Sequence, residues 1–214
     1  MVVRRWLIRA ITAVLLAANP LVRAGADSGP AWAAAYIRRV GDELAALMAN
    51  ARSPEARRQG LQPFIDRVVD VNDVAQFCLG RFWHKATPAQ QREYMRLFHA
   101  VLMNAVLSRV GDYEQNEVRV SIDRPEARDG SVNVPTLVER TNNPPARVIW
   151  VVKDDADNPR IIDVIAEGTS LRLTVRNDYS SFLNRRHDDV DALIDALRQQ
   201  ACNGCGKASP LGGQ

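Results

Sequence analysis

The hydrophobic pattern changes its period near Glu117, and this change limits the folds open to the chain. Before it, apolar residues recur every three to four positions, as they do along one side of a helix. After it, apolar and polar residues alternate, beginning at Val118-Arg119-Val120-Ser121-Ile122, which is typical of a strand with one buried face. A series of helices followed by a series of strands predicts an α+β domain, with an antiparallel sheet packed against helices.

Five helices are expected. Ser53-Pro54 is a good helix start, Gly80 a helix stop, and Thr87-Pro88-Ala89-Gln90 a capping box that opens the longest helix. The predicted segments are 31–49, 53–70, 71–79, the helix opened by this capping box, and 188–200. The long helix should bury one apolar stripe formed by Tyr94, Leu97, Phe98, Val101, Leu102, Ala105, Val106 and Val110.

Four strands are expected after the long helix. The first surrounds Val120, and the second follows the hairpin-type pair Asp129-Gly130. The third follows a turn at Asn142-Asn143-Pro144-Pro145, and the fourth runs from Ile161 to Ala166. The last helix, with Val190, Leu193, Ile194 and Leu197 on one face, is expected to close the core.

The N-terminus has the pattern of a secretory leader. Arg4, Arg5 and Arg9 flank the apolar run 10–18, and small residues offer cleavage after Ala24 or Ala26. The run is shorter than the ~20 residues of a membrane-spanning helix. The sequence therefore predicts a cleavable signal peptide over 1–24, a domain over 27–201 and a Gly- and Cys-containing tail over 202–214.

Removal of the leader changes the charge of the chain. The full sequence carries +3, and the leader contributes four arginines without an acidic residue, so the remaining chain carries 3 − 4 = −1. A basic surface attracted to nucleic acid is therefore not expected. The function should instead lie in the interior of the domain.

The order of short motifs resembles that of the MlaC-like family, also called the toluene-tolerance or ABC-transporter auxiliary family. No single motif is specific, but the set occurs in the expected order over roughly residues 31–200. It comprises Val69-Asp70-Val71-Asn72-Asp73-Val74-Ala75, Leu79-Gly80-Arg81-Phe82-Trp83, Ala86-Thr87-Pro88-Ala89-Gln90-Gln91, Ile161-Ile162-Asp163-Val164, Glu167-Gly168-Thr169-Ser170-Leu171, Asp178-Tyr179-Ser180-Ser181-Phe182 and Asp191-Ala192-Leu193-Ile194.

This resemblance implies a nuclear-transport-factor-like fold, with a curved antiparallel sheet and helices around an apolar cavity. It also implies a periplasmic protein that carries phospholipid between an outer-membrane lipoprotein complex and an inner-membrane ABC transporter complex. A branch of the family is associated with hopanoid-producing bacteria, and the sequence leaves that branch open. The resemblance implies neither a cofactor nor a catalytic role.

A lipid carrier needs an apolar cavity because an acyl chain is costly to hold in water. At about 0.8 kcal/mol per methylene, roughly 14 methylenes cost on the order of 11 kcal/mol. A wall of aliphatic side chains without ionic groups would shelter the chain and still release it. The candidate lining residues are Leu102, Val106, Val120, Ile122, Val134, Val138, Val148, Trp150, Val152 and Val164, and each could also be an ordinary core residue.

Two other functions remain open at this stage, a small isomerase-like enzyme on the same fold and a periplasmic structural adaptor with a filled core. Asp163 is the best candidate for a catalytic acid or base in an apolar pocket, although a hydrogen-bonded structural role is the better interpretation. The histidines, His84, His99 and His187, lack metal-ligand spacing, and the sequence has no Gly-x-Ser-x-Gly nucleophile motif.

The remaining polar motifs are weakly specific. Cys202 and Cys205 have the spacing of redox and zinc motifs, but a local disulfide or an inactive tail is the simpler interpretation. The acidic run 154–158 lacks the glycine and distal glutamate of a calcium loop and is expected to be a turn. No metal site is therefore predicted.

Overall fold

The computed structural model describes residues 30–110, 118–140 and 143–203, which form helices and one antiparallel sheet. The helices are α1 (Ala31–Asn50), α2 (Pro54–Val68), α3 (Val71–Leu79), a short 3-10 helix (Gly80–His84), α4 (Pro88–Val110), α5 (Leu171–Arg185) and α6 (Val190–Asn203). The strands are β1 (Val118–Ile122), β2 (Glu126–Arg128), β3 (Ser131–Arg140), β4 (Asn143–Lys153), β5 (Ile161–Ala166) and β6 (Thr169–Ser170). The α+β class predicted from the sequence is confirmed.

Local side-chain contacts explain where several helices begin and end. The Ser53 hydroxyl accepts a hydrogen bond from the Ala56 amide at 3.1 Å. At the start of α4, the Thr87 amide donates to Gln90 Oε1 at 2.9 Å, and the Gln90 amide donates to Thr87 Oγ1 at 3.2 Å. This reciprocal pair confirms the predicted capping box. Gly80 ends α3 with a φ of 58°, a conformation that favours glycine.

The sheet has the strand order β1-β3-β4-β5-β6, and β2 also pairs with β3. The predicted turn at Asp129-Gly130 joins β2 to β3 and is confirmed. Register shifts occur between Val138 and Arg140 and between Val151 and Val152. Extra residues of this kind bend a strand and increase its twist, which accounts for a curved sheet.

Two hydrophobic cores fill the domain. The first packs α1 and α2 against one face of the sheet, and it includes Tyr36, Phe64, Val134 and Val152. The second packs α3, the first half of α4, α5 and α6 together. The predicted apolar face of α6 lies in this second core, since all four of its residues are buried, so the expectation that the last helix closes the core is confirmed.

The long helix α4 contributes to both cores, and this changes its predicted stripe. Tyr94, Leu97 and Phe98 are buried in the second core, but Ala105 is exposed. Met103, which the stripe omits, is buried in the first core. The predicted stripe is confirmed at Val101, Leu102 and Val106, which also pack against the cores, and is wrong at Ala105, while the Val110 side chain lies outside the described part of the chain. The difference arises because the helix turns one side toward the second core and, further along, another side toward the first.

Two other segments differ from the sequence-based expectation. Pro144-Pro145 lies within β4 rather than in a turn, next to the register irregularity opposite Glu139. Proline is tolerated there because the strand ladder is already interrupted. The sequence does not predict helix α5 or the short strands β2 and β6. In α5, Leu183 is buried while Leu171 and Leu173 are about half exposed, so the apolar periodicity is weak.

Candidate apolar site on the inner face of the sheet

The eight candidate lining residues from the strands lie on one face of the sheet, which we call the inner face. Residues directly paired across neighbouring strands share a face. Trp150 pairs with Val134 on one side and with Val164 on the other. Other pairs of the same face are Val132 with Val152, Thr136 with Val148 and with Ile122, and Val120 with Val138.

Burial falls steadily along this face. At one end Val132 and Val152 are fully buried against α1 and α2. Trp150 and Val148, further along β4, are half-buried. At the other end Val120 is 55% exposed. The inner face therefore has a packed end and an open end. Val134 and Val152 belong to the packed core. Val120, Val138 and Val148 lie beyond that core, toward the open end.

Helices cover the middle of the inner face. Leu102 and Val106 of α4, both predicted as lining residues, are partly buried against the first core. Other partly buried apolar side chains pack against the first core and are not among the predicted lining residues. They include Leu44, Leu47 and Met48 of α1 and Leu107 of α4. Their helical spacing was visible in the sequence, but it does not show which core a helix faces.

Trp150 is held across the strands by a short hydrogen-bond relay. Its indole Nε1 donates to Thr136 Oγ1 at 3.3 Å, and the Thr136 hydroxyl donates to the Val148 carbonyl at 2.9 Å. Thr136 is only 3% exposed. The polar groups on this part of the inner face are therefore paired with each other, so the face offers hydrocarbon surface without a free donor.

A polar clasp lies beyond the packed end. Arg160 donates hydrogen bonds to the carbonyls of Asp66 and Arg67, the last turn of α2, at 2.8 and 2.5 Å. Lys153 forms an ion pair with Asp70 at 3.6 Å, and His99 Nε2 lies within hydrogen-bond distance of Asp66 Oδ1 at 2.6 Å. Asp66, Asp70, His99, Lys153 and Arg160 border a surface cavity of about 460 Å³, and each of these side chains has a polar partner within the protein.

Asp163 lies on the opposite, outer face, because it pairs with Val151. Its carboxylate accepts hydrogen bonds from the amides of Val164 and Arg172 at 2.8 and 3.1 Å and from the Ser170 hydroxyl at 2.6 Å. Ser170 in turn caps α5 by accepting from the Leu173 amide. Asp163 therefore fixes the start of α5 and does not project into the inner face.

The other polar candidates are also engaged in local structure. The carboxylate of Asp155 accepts from the amides of Asp157 and Asn158, as in a polar turn. Burial raises the pKa of the Cys78 thiol to about 12, so it stays protonated. Within the described ranges, no group of three or more His, Cys, Asp or Glu residues could hold a metal ion.

Some predictions fall on parts of the chain outside the described residues. The signal peptide lies there, and so does Cys205, whereas Cys202 is exposed near the end of α6. The leader and the cysteine pairing therefore stay predictions. Across residues 30–110, 118–140 and 143–203, no helix combines the length and hydropathy that crossing a membrane requires.

Comparisons with known proteins agree with this architecture. The chain is 25% identical over 189 residues to a curated protein named toluene tolerance protein ttg2D from Pseudomonas putida, with 85% of each chain covered. A solved structure from Ralstonia solanacearum, described as a phospholipid-binding protein in complex with a phospholipid, superposes with a TM-score of 0.68 and 21% identity. The match covers 80% of this chain and 98% of that one, and at this identity it shows a shared fold.

The family comparison covers most of the chain. The model of the family described as MlaC protein matches residues 36–199. This range begins within α1 and ends within α6, so it includes the whole sheet, the second core and all buried residues of the first core except Ala33. The chain therefore belongs to the MlaC family.

Proposed function

We propose that this protein is an exported lipid carrier that holds the acyl chains of a phospholipid against the inner face of its sheet. One observation carries the proposal, namely an apolar face that is packed at one end and open at the other. Val132 and Val152 are fully buried, whereas Val120 is 55% exposed. The row of aliphatic side chains between these two ends offers apolar surface that an acyl chain can cover, and each methylene removed from water contributes about 0.8 kcal/mol.

The chemistry of the inner face suits a carrier. The paired rows from Val132 to Val138 contain aliphatic residues, Trp150 and Thr136, and no charged side chain. A wall of this kind binds through the area removed from water and does not require the breaking of ion pairs on release. The protein can then take up a lipid from a membrane or partner, and release it again, when the membrane or partner shelters the acyl chains from water about as well as the inner face does.

Membership of the MlaC family and the superposable phospholipid complex support phospholipid as the cargo. The leader-like N-terminus supports a periplasmic location. The resemblance of the motifs supports two partners, an outer-membrane lipoprotein complex and an inner-membrane ABC transporter complex. A hopanoid-related lipid is the second candidate cargo, which the identification of bound lipid would separate from phospholipid.

A carrier also accounts better than an enzyme for the position of the acidic candidate. Asp163 is on the outer face and is used to organise the start of α5. An isomerase-type acid or base would have to project into the apolar site. We therefore propose no catalytic residue and no cofactor for this protein.

Neighbouring residues of β4 offer a matched test, because consecutive side chains of a strand point to opposite faces. Val148 lies on the inner face and Ile149 on the outer face, and both are half-buried. We expect Val148→Lys to lower uptake of phospholipid from vesicles at least about tenfold, since a charge would have to be buried against acyl chains. Ile149→Lys should retain uptake. Equal uptake by folded Val148→Lys and wild-type protein would contradict the proposal.

A further inference from the structure

Trp150 lies at the point where the inner face changes from packed to open. It is the one aromatic side chain on this face within the described strands, and it belongs to β4, the central strand of the order β1-β3-β4-β5-β6. On one side of it along β4 is Val152, which is fully buried, and on the other is Val148, which is half-buried. The indole therefore stands between the packed core and the open end.

The orientation of the indole is fixed by its surroundings. Its Nε1 donates to Thr136 Oγ1, and the Thr136 hydroxyl is itself committed to the Val148 carbonyl. Rotation of the ring away from β3 would leave an N–H donor unpaired in apolar surroundings, which is unfavourable. Trp150 also packs against the first core, whereas Val120, Val138 and Val148 lie beyond that core. The indole ring is therefore held in one orientation and presents an apolar surface toward the open end.

We propose that Trp150 is the residue that ends the acyl-chain site and so sets the longest chain the protein accommodates. This inference rests on the proposed function. An acyl chain that enters at the open end extends along Val138 and Val148 and meets the indole before the packed row of Val132 and Val152. Each methylene buried on the way tightens binding about fourfold. The affinity should therefore rise with chain length and level off when the terminal methyl group reaches the ring.

The test is a series of saturated phosphatidylcholines of increasing chain length, titrated into the purified full-length protein. In Trp150→Ala the affinity should level off at a longer chain than in the wild type, with about fourfold tighter binding for each additional methylene. An engineered apolar cavity of roughly 150 Å³ holds a benzene-sized ligand, so the space left by an indole admits several methylenes. Trp150→Phe, which keeps a ring without the N–H, should stay close to the wild type.

A second variant keeps the inference falsifiable if Trp150→Ala does not fold. Val148→Phe adds a ring on the open side of Trp150, so binding should level off at a shorter chain or be lost for all but the shortest lipids. An unchanged chain-length profile in folded Trp150→Ala, or in Val148→Phe, would overturn the role of Trp150 while leaving lipid carriage intact. A wild-type protein that binds none of the lipids would instead contradict the proposed function.

Discussion

The carboxylate of Asp163 accepts a hydrogen bond from the Ser170 hydroxyl at 2.6 Å, and this contact joins β5 to the start of α5. Asp163 is only 8% exposed, and it also accepts from two backbone amides. A residue that looks in the sequence like an acid within an apolar strand is therefore part of a helix start.

Replacement of this carboxylate should lower the free energy of unfolding. Asp163→Ala leaves the Ser170 hydroxyl and the Arg172 amide without their acceptor, and we expect a loss of about 2–3 kcal/mol in urea denaturation. Ser170→Ala, which removes one partner and the helix cap, should cost about 1 kcal/mol. If Asp163→Ala were as stable as the wild type yet lost its activity toward lipid, Asp163 would have a direct functional role.

The surface contact between α4 and α6 should depend on pH. Hydrogen bonds from Arg96 and Arg198, together with their charges, lower the pKa of Glu93 from its ordinary 4.5 to about 2. Because this pKa is lowered in the folded state, the contribution of Glu93 to stability is complete above pH 4.5 and disappears as the pH falls toward 2.

Thermal unfolding of wild-type protein and Glu93→Gln across this pH range provides the measurement. The difference in melting temperature should be constant above pH 4.5 and should shrink as the pH approaches 2. An equal difference at every pH would show that the ionisation of Glu93 is not responsible.

The polar clasp beyond the packed end should contribute to stability but not to lipid selectivity. Arg160→Met removes two charge-assisted hydrogen bonds to carbonyls at the end of α2, and we expect a loss of about 1.5–3 kcal/mol in the free energy of unfolding. Arg128→Met on β2 breaks an exposed ion pair with Glu126 and should change the free energy of unfolding by less than about 0.5 kcal/mol. Equal effects of the two variants would show that the clasp is not structural.

Tryptophan fluorescence can locate the bound lipid. A phospholipid with bromine atoms on its acyl chains quenches indole fluorescence on contact, so loading the protein with it should quench Trp150 on the inner face. Trp83 packs near Tyr94 in the second core, with a ring separation of 6.4 Å, and should be quenched less. Trp150→Phe should lose more of the quenching than Trp83→Phe, and Trp32, which packs against the first core, is present in both variants. The reverse pattern would place the lipid in the second core.

The sequence predicts the faces of the strands better than the depth of each residue. Alternation with period two correctly places Val148, Trp150 and Val152 of β4 on one face, because strand geometry requires it. It does not distinguish fully buried Val134 from exposed Val120, because depth depends on which helices cover each row. For the same reason, Val134→Arg, which looks from sequence like a cavity variant, would place a charge in the packed core and test folding instead.

Helices are predictable where local signals define their ends. The capping box at Thr87 and the stop at Gly80 are local contacts, and the helices near them have the expected limits. Helix α5 has a serine cap, but Leu171 and Leu173 are exposed and only Leu183 is fully buried, so its apolar periodicity is lost. The Trp150–Thr136 contact joins residues of different strands and depends on their register, which the sequence alone does not specify.

Lipid carriage on the inner face is tested most directly by the molecule that the protein holds when it is isolated. The full-length chain is expressed for export, purified from the periplasm without detergent, extracted with organic solvent and analysed by mass spectrometry. We predict phospholipid in an amount comparable to that of the protein, greatly reduced in Val148→Lys and retained in Ile149→Lys. Wild-type protein that contains no lipid, and that takes up none from phospholipid vesicles, would contradict the account.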